Sequence, residues 1–108
     1  MNAAEKQAIV DGLKEKHGRI FEVEDEDSDY GLVIVRPLTK LEYRRVKEQR
    51  DDDTRKHMVD EFVAMTSIVY PDAMGAQRLI DQFPVFAASV TGEVLKISGA
   101  ENLHAKKL

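Results

Sequence analysis

A chain of 108 residues, 43% apolar and 33% charged, can build one hydrophobic core and is globular in composition, not disordered. It holds no cysteine, which excludes disulfides, thiolate metal sites and a cysteine nucleophile, and its net charge of −4 argues against nucleic acid as the main partner. Without tryptophan and with only 6% aromatics, its core must be built from Val, Ile, Leu, Met and Ala.

The pattern predicts an α+β fold, mostly helical: an N-terminal helix and a β-hairpin followed by a bundle of about four helices. Residues 1–100 are read as one domain and 101–108 as a flexible tail. Ala4, Ala8, Ile9 and Leu13 recur at helical spacing between Ala3 and His17, and Gly18 stands where a C-terminal cap belongs. The stripe is thin and Gly12 weakens it, so this helix is expected to be loosely held. Met1-Asn2-Ala3-Ala4-Glu5-Lys6 lacks a signal-peptide pattern, and the longest mainly apolar run, Leu32–Val35, is too short to span a bilayer. A cytoplasmic protein is expected.

Residues 19–24 and 30–36 are rich in β-formers, and Asp25-Glu26-Asp27-Ser28-Asp29 between them supplies turn chemistry for a hairpin. The second strand is apolar on both faces, so helices or another chain must cover it. Pro37 ends the strand. Thr39 and Glu42 have the spacing of a capping box that starts a charged helix from Lys40 to about Arg50. Asp51-Asp52-Asp53 breaks that helix and is expected to cap the next, over Thr54 to Val69, whose apolar stripe is Met58, Phe62, Met65 and Val69 flanked by Val59 and Ile68. This is the expected central helix, stopped by Tyr70-Pro71-Asp72. A shorter helix follows over Ala73–Phe83. A final helix is expected to start at Pro84 and run to Ser98, with Phe86, Val90, Val94 and Ile97 inward and Gly99 as its cap.

Charge is uneven. Residues 22–29 hold six acids and no base, whereas Arg36, Lys40, Arg44, Arg45, Lys47, Arg50, Arg55 and Lys56 crowd the stretch that follows. A solvated loop and a solvated helix face explain both without a ligand.

Signs of catalysis are absent from the pattern. His17, His57 and His104 have no convincing ligand spacing, although Asp53, Asp60 and Glu61 flank His57. The acidic loop lacks the glycine and distal glutamate of a calcium loop, and a helix cap accounts for the aspartate trio better than magnesium does. The glycines at 12, 18, 31, 75, 92 and 99 are scattered, so there is no phosphate loop, and no serine has a nucleophile-elbow context. The expectation is a protein that is not an enzyme and takes no cofactor or metal. Binding to another protein is the better reading. Its candidate contact residues are Phe62, Met65, Tyr70, Met74, Phe83 and Phe86, apolar side chains on methionine-bearing helices and around two prolines. The same residues would serve equally well as core.

The order of signals carries a resemblance. A helix ending in His17-Gly18 is followed by Arg19-Ile20-Phe21-Glu22-Val23-Glu24 and then by Val35-Arg36-Pro37-Leu38-Thr39-Lys40-Leu41-Glu42-Tyr43. After the central helix come Val69-Tyr70-Pro71-Asp72, a Leu79–Pro84 segment and Val94-Leu95-Lys96-Ile97-Ser98-Gly99. Over about residues 13–108 this resembles the small tail assembly chaperones of tailed bacteriophages, in which an "Arg-Pro-Thr-x-x-Glu-Tyr"-like step precedes a helical bundle with a "Tyr-Pro" turn. Here Leu38 separates the proline from the threonine. The resemblance implies a non-enzymatic chaperone that binds and shields the phage tape measure protein during tail assembly, many copies acting together. A structural tail, connector or baseplate component is the alternative. A further one is a small nucleic-acid-associated regulator using Arg44, Arg45, Lys47 and Arg50.

Overall fold

A computed structural model describes residues 1–24, 30–99 and 105–108. The expected hairpin tip at 25–29, residue 100 and half of the expected tail, 101–104, lie outside the described residues; 105–108 form no regular structure. The elements run α1 (Ala3–His17), β1 (Phe21–Val23), β2 (Val33–Val35), α2 (Lys40–Arg50), a 3-10 turn (Lys56–Met58), α3 (Val59–Ser67), β3 (Ile68–Tyr70), α4 (Ala73–Gln82) and α5 (Phe86–Ile97). The fold is α+β and mostly helical, as the pattern predicts. The sheet, however, has three antiparallel strands in the order β1-β2-β3, where the sequence pattern showed two.

The third strand is the main correction. The pattern carries the central helix through Ile68 and Val69 to a stop at Tyr70, but that helix ends at Ser67 and Ile68–Tyr70 form a strand beside β2. Two local causes combine. Pro71 disfavours helical geometry at Tyr70, and a β-branched, aromatic triplet fits a pleated ladder. The open edge of β2 meanwhile needs a partner for its main chain. The register matches Ile34 with Tyr70 but Val35 with Ile68, which leaves Val69 as the extra residue of a bulge. The bulge sends Ile68 to the Val35 side and Tyr70 to the Ile34 side.

The helical layer packs on the Val33 and Val35 side. There the core joins both valines to Leu38, Val46 of α2, Val59, Val63 and Ala64 of α3, and Phe86, Ala87, Val90 and Val94 of α5. Phe21, Val23 and Ile68 pack against it from the strands. The other side carries Ile34, 2% exposed, with Glu22 and Tyr70 beside it in register. α1 reaches this side, for Lys6 Nζ pairs with Glu22 at 2.9 Å. Lys6 shares its helix face with Ile9, Val10, Leu13 and His17, the less exposed residues of α1, so the thin stripe turns toward the sheet. No residue of α1 is fully buried. Gly18, at φ 77, takes a positive-φ conformation open to glycine where the helix ends, and its amide donates to the Lys14 carbonyl.

α3 is the central helix, but its inward face differs from the expected one. Val59, Val63, Ala64 and Ser67 are buried, while Met58 is exposed and Phe62 and Met65 flank the contact half-buried. α3 lies against α5, whose buried face is Phe86, Ala87, Val90, Thr91 and Val94, and this contact sets which side of α3 turns inward. Thr91 Oγ1 donates to the Ala87 carbonyl at 2.8 Å and also stands 3.2 Å from the Asp60 carbonyl of α3. The helix also starts later than expected. Asp52 accepts from the amide and hydroxyl of Thr54 and from Arg55, so it caps a turn and not α3. These bonds, the Thr54 hydroxyl foremost, hold the Asp52 carboxyl at about 2.

Two other boundaries shift. Pro84 and Val85 form a turn, and α5 begins at Phe86, whose amide donates to the Phe83 carbonyl at 3.0 Å. Asp72 caps α4 by accepting from the Gly75 amide at 2.8 Å.

Candidate functional site

The six residues singled out in sequence do not come together as one surface. Phe86 is 4% exposed and belongs to the core, so it is corrected from a contact residue to a packing residue. Phe83 is half-buried and meets Tyr30 edge-to-face at 5.8 Å, and Tyr30 also contacts Phe86 at 5.0 Å. Phe62 packs against the core from α3. Tyr70 lies in β3 on the Ile34 side, opposite the helical layer. Met65 is half-buried, and Met74, 68% exposed, stands on the outer side of α4, away from the inward stripe of Ala76, Leu79, Ile80 and Phe83. Of the six, Met74 alone is largely exposed.

A concave site forms elsewhere, where the start of α2 meets the end of α5. A groove of about 550 Å³ is lined by Leu38, Thr39, Lys40, Tyr43 and Arg50 on one wall and Leu95, Ser98 and Gly99 on the other. Its geometry follows from how α2 begins. Thr39 and Glu42 form the reciprocal capping box, with the Thr39 amide donating to Glu42 Oε1 at 2.8 Å and the Glu42 amide to Thr39 Oγ1 at 3.2 Å. Arg36 clamps the same carboxylate with two hydrogen bonds of 2.8 Å, both side chains mostly buried. That guanidinium, more than the cap, holds the Glu42 carboxyl down at about 2, and the carboxylate in turn raises Arg36. The second wall is tied across sixty residues of chain: the Leu38 amide donates to Ser98 Oγ at 2.9 Å, and that hydroxyl donates to the Val94 carbonyl.

The groove has an apolar floor and a cationic rim. Leu38 is buried, Leu95 half-buried and Tyr43 exposed, whereas Lys40 and Arg50 stand in solvent at its edge. Tyr43 and Arg50 lie seven residues apart on one face of α2, with Lys47 between them at helical spacing. Lys40, Arg44, Arg45, Lys47 and Arg50 take part in none of the ion pairs among the described residues. Sequence reasoning noted the cations but missed the groove. Only the second wall makes it, and no local pattern announces that residue 98 lies beside residue 38.

Among the described residues no group of three or more His, Asp and Glu gathers at metal-binding distance. His57 is exposed in the 3-10 turn, His17 is half-buried at the end of α1, and His104 lies outside the described residues. No helix among the described residues is long and apolar enough to cross a membrane.

No family model and no curated protein matches the sequence. In structure the chain is similar to an uncharacterised protein from Bacillus stearothermophilus, with a TM-score of 0.75 over 91% of this chain and 99% of that one. At 18% sequence identity the likeness defines a shared fold and nothing finer.

Proposed function

We propose that this chain works by binding another protein, and that it is a tail assembly chaperone of a tailed bacteriophage whose partner is the tape measure protein. The observation that carries the first half is the groove between α2 and α5. An apolar floor beside side-chain cations that form no ion pair among the described residues, on a helix clamped at its start, supports docking of a peptide segment. The second half rests on the order of sequence signals, Arg36-Pro37 before Thr39-Lys40-Leu41-Glu42-Tyr43 and Val69-Tyr70-Pro71-Asp72 after the central helix, which resembles that family. A long helical partner would present repeated segments, so many weak copies of such a groove could coat it together.

Co-expression with a tape measure fragment tests the reading. The expected result is a soluble complex that elutes as one species. A fragment that stays insoluble, with this protein eluting alone, removes the chaperone assignment.

A further inference from the structure

We infer that the α2–α5 groove receives an acidic segment of another protein, one that places an apolar side chain on the floor and carboxylates along the rim. The inference rests on the protein-binding reading above and names the chemistry of the partner. Charge complementarity decides it. α2 exposes five cations, Lys40, Arg44, Arg45, Lys47 and Arg50, on a chain whose net charge is −4. Of its two acids, Glu42 is consumed by Arg36, so within the helix Glu48 is the one other acid beside five cations. Lys40 and Arg50 line the groove directly, at the two ends of the helix, so an occupant lying along α2 meets a cation at each end and Tyr43 between them.

Other occupants fit less well. The last four residues of this chain, Ala105–Leu108, stand exposed, and Lys106 and Lys107 carry the same sign as the rim. Nucleic acid would find the cations but only Tyr43 as a stacking surface, on a molecule that repels it overall. The floor formed by Leu38 and Leu95 is instead suited to an aliphatic or aromatic side chain.

The test uses the full chain and a short fluorescein-labelled peptide in which leucines recur at helical spacing among glutamates, read by fluorescence anisotropy. Two control peptides replace the glutamates by glutamine or the leucines by serine. Saturable binding is expected, weakened about tenfold by either control. The double variant K40E/R50E, at exposed positions that leave the core intact, should lose about tenfold or more, whereas R78E on the outer side of α4 should bind as before. Unchanged binding by K40E/R50E overturns the inference, as does absence of binding by the unaltered protein. A labelled oligonucleotide that binds in place of the peptide assigns the cations to nucleic acid and overturns it too. So does self-association that K40E/R50E abolishes without any peptide binding, which assigns the groove to a second copy. A tape measure fragment that still co-elutes while the peptide fails would sink this inference and leave the proposed function standing.

Discussion

The Glu42 side chain joins two elements at once. One carboxylate closes the capping box of α2 and receives both arms of Arg36, joining the exit of β2 to the start of the helix that walls the groove. Its depressed pKa makes this join sensitive to pH. Above about 4.5, the group's ordinary value, the carboxylate is ionised whether the chain is folded or unfolded, and the pair contributes in full. As pH falls toward about 2, the unfolded chain takes up the proton first and the contribution drains away. E42Q keeps the box, since glutamine can also cap, but loses the charge. Urea titrations should therefore show E42Q less stable by about 2 kcal/mol near neutral pH, with the gap closing as the medium is acidified toward pH 2. E42A, which loses the cap as well, should be worse than E42Q at neutral pH. Two glycines give a contrast at the same scale. A Cβ on Gly12 meets nothing within 4 Å in the middle of α1, so G12A should raise stability by up to about 1 kcal/mol. A Cβ on Gly75 would come 2.8 Å from Pro71 Cβ, on a ring that cannot turn aside, and G75A should lower stability by about 1–3 kcal/mol. Thermal melts of the two variants should move in opposite directions.

Among the elements, α1 and α3 stand at opposite ends of a range of attachment. α3 is held from several sides, by α2, α4 and α5, and loses four residues from solvent completely or nearly so. α1 buries no residue fully and is tied to the sheet by a solvent-exposed Lys6–Glu22 pair, a contact worth roughly 0–1 kcal/mol and weakened by salt. Local opening should follow that order. In native-state hydrogen exchange the amides of α1 should exchange through a low-energy opening, while those of α3 and α5 approach global unfolding. Equal protection of α1 and α3 would contradict this account of the layers.

At the scale of the whole molecule, β2 is the piece that every layer shares. It is the middle strand of the sheet, its odd residues Val33 and Val35 enter the helical core, and Ile34 faces the α1 side with only 2% of its surface exposed. I34A should therefore cost about 2–5 kcal/mol in urea unfolding, and because Ile34 faces away from the helical layer that carries the groove, the groove should keep its shape. The labelled peptide provides the check: I34A should bind it as the unaltered protein does wherever the variant remains folded.

Much of this architecture is legible in the residues taken in order. Gly18 ends α1, Thr39 and Glu42 start α2, and the three consecutive apolar residues of β2 announce a strand covered on both faces, because each of these signals acts on main-chain groups within a few residues. What a single stretch of chain cannot decide is which of two acceptable local structures will be used. Ile68-Val69-Tyr70 continues the apolar pattern of a helix yet becomes a strand, since β2 offers an open edge and Pro71 withholds helical geometry. Phe62 and Met65 give way to Val63 and Ala64 as the fully buried face of α3, since the sheet, α2 and α5 set which side of the helix turns inward. Phe86 likewise enters the core, because α5 packs that face against α3. The groove belongs wholly to this second kind: the cations of α2 are written in the sequence, but the wall opposite them exists only because folding brings Leu95, Ser98 and Gly99 beside Leu38.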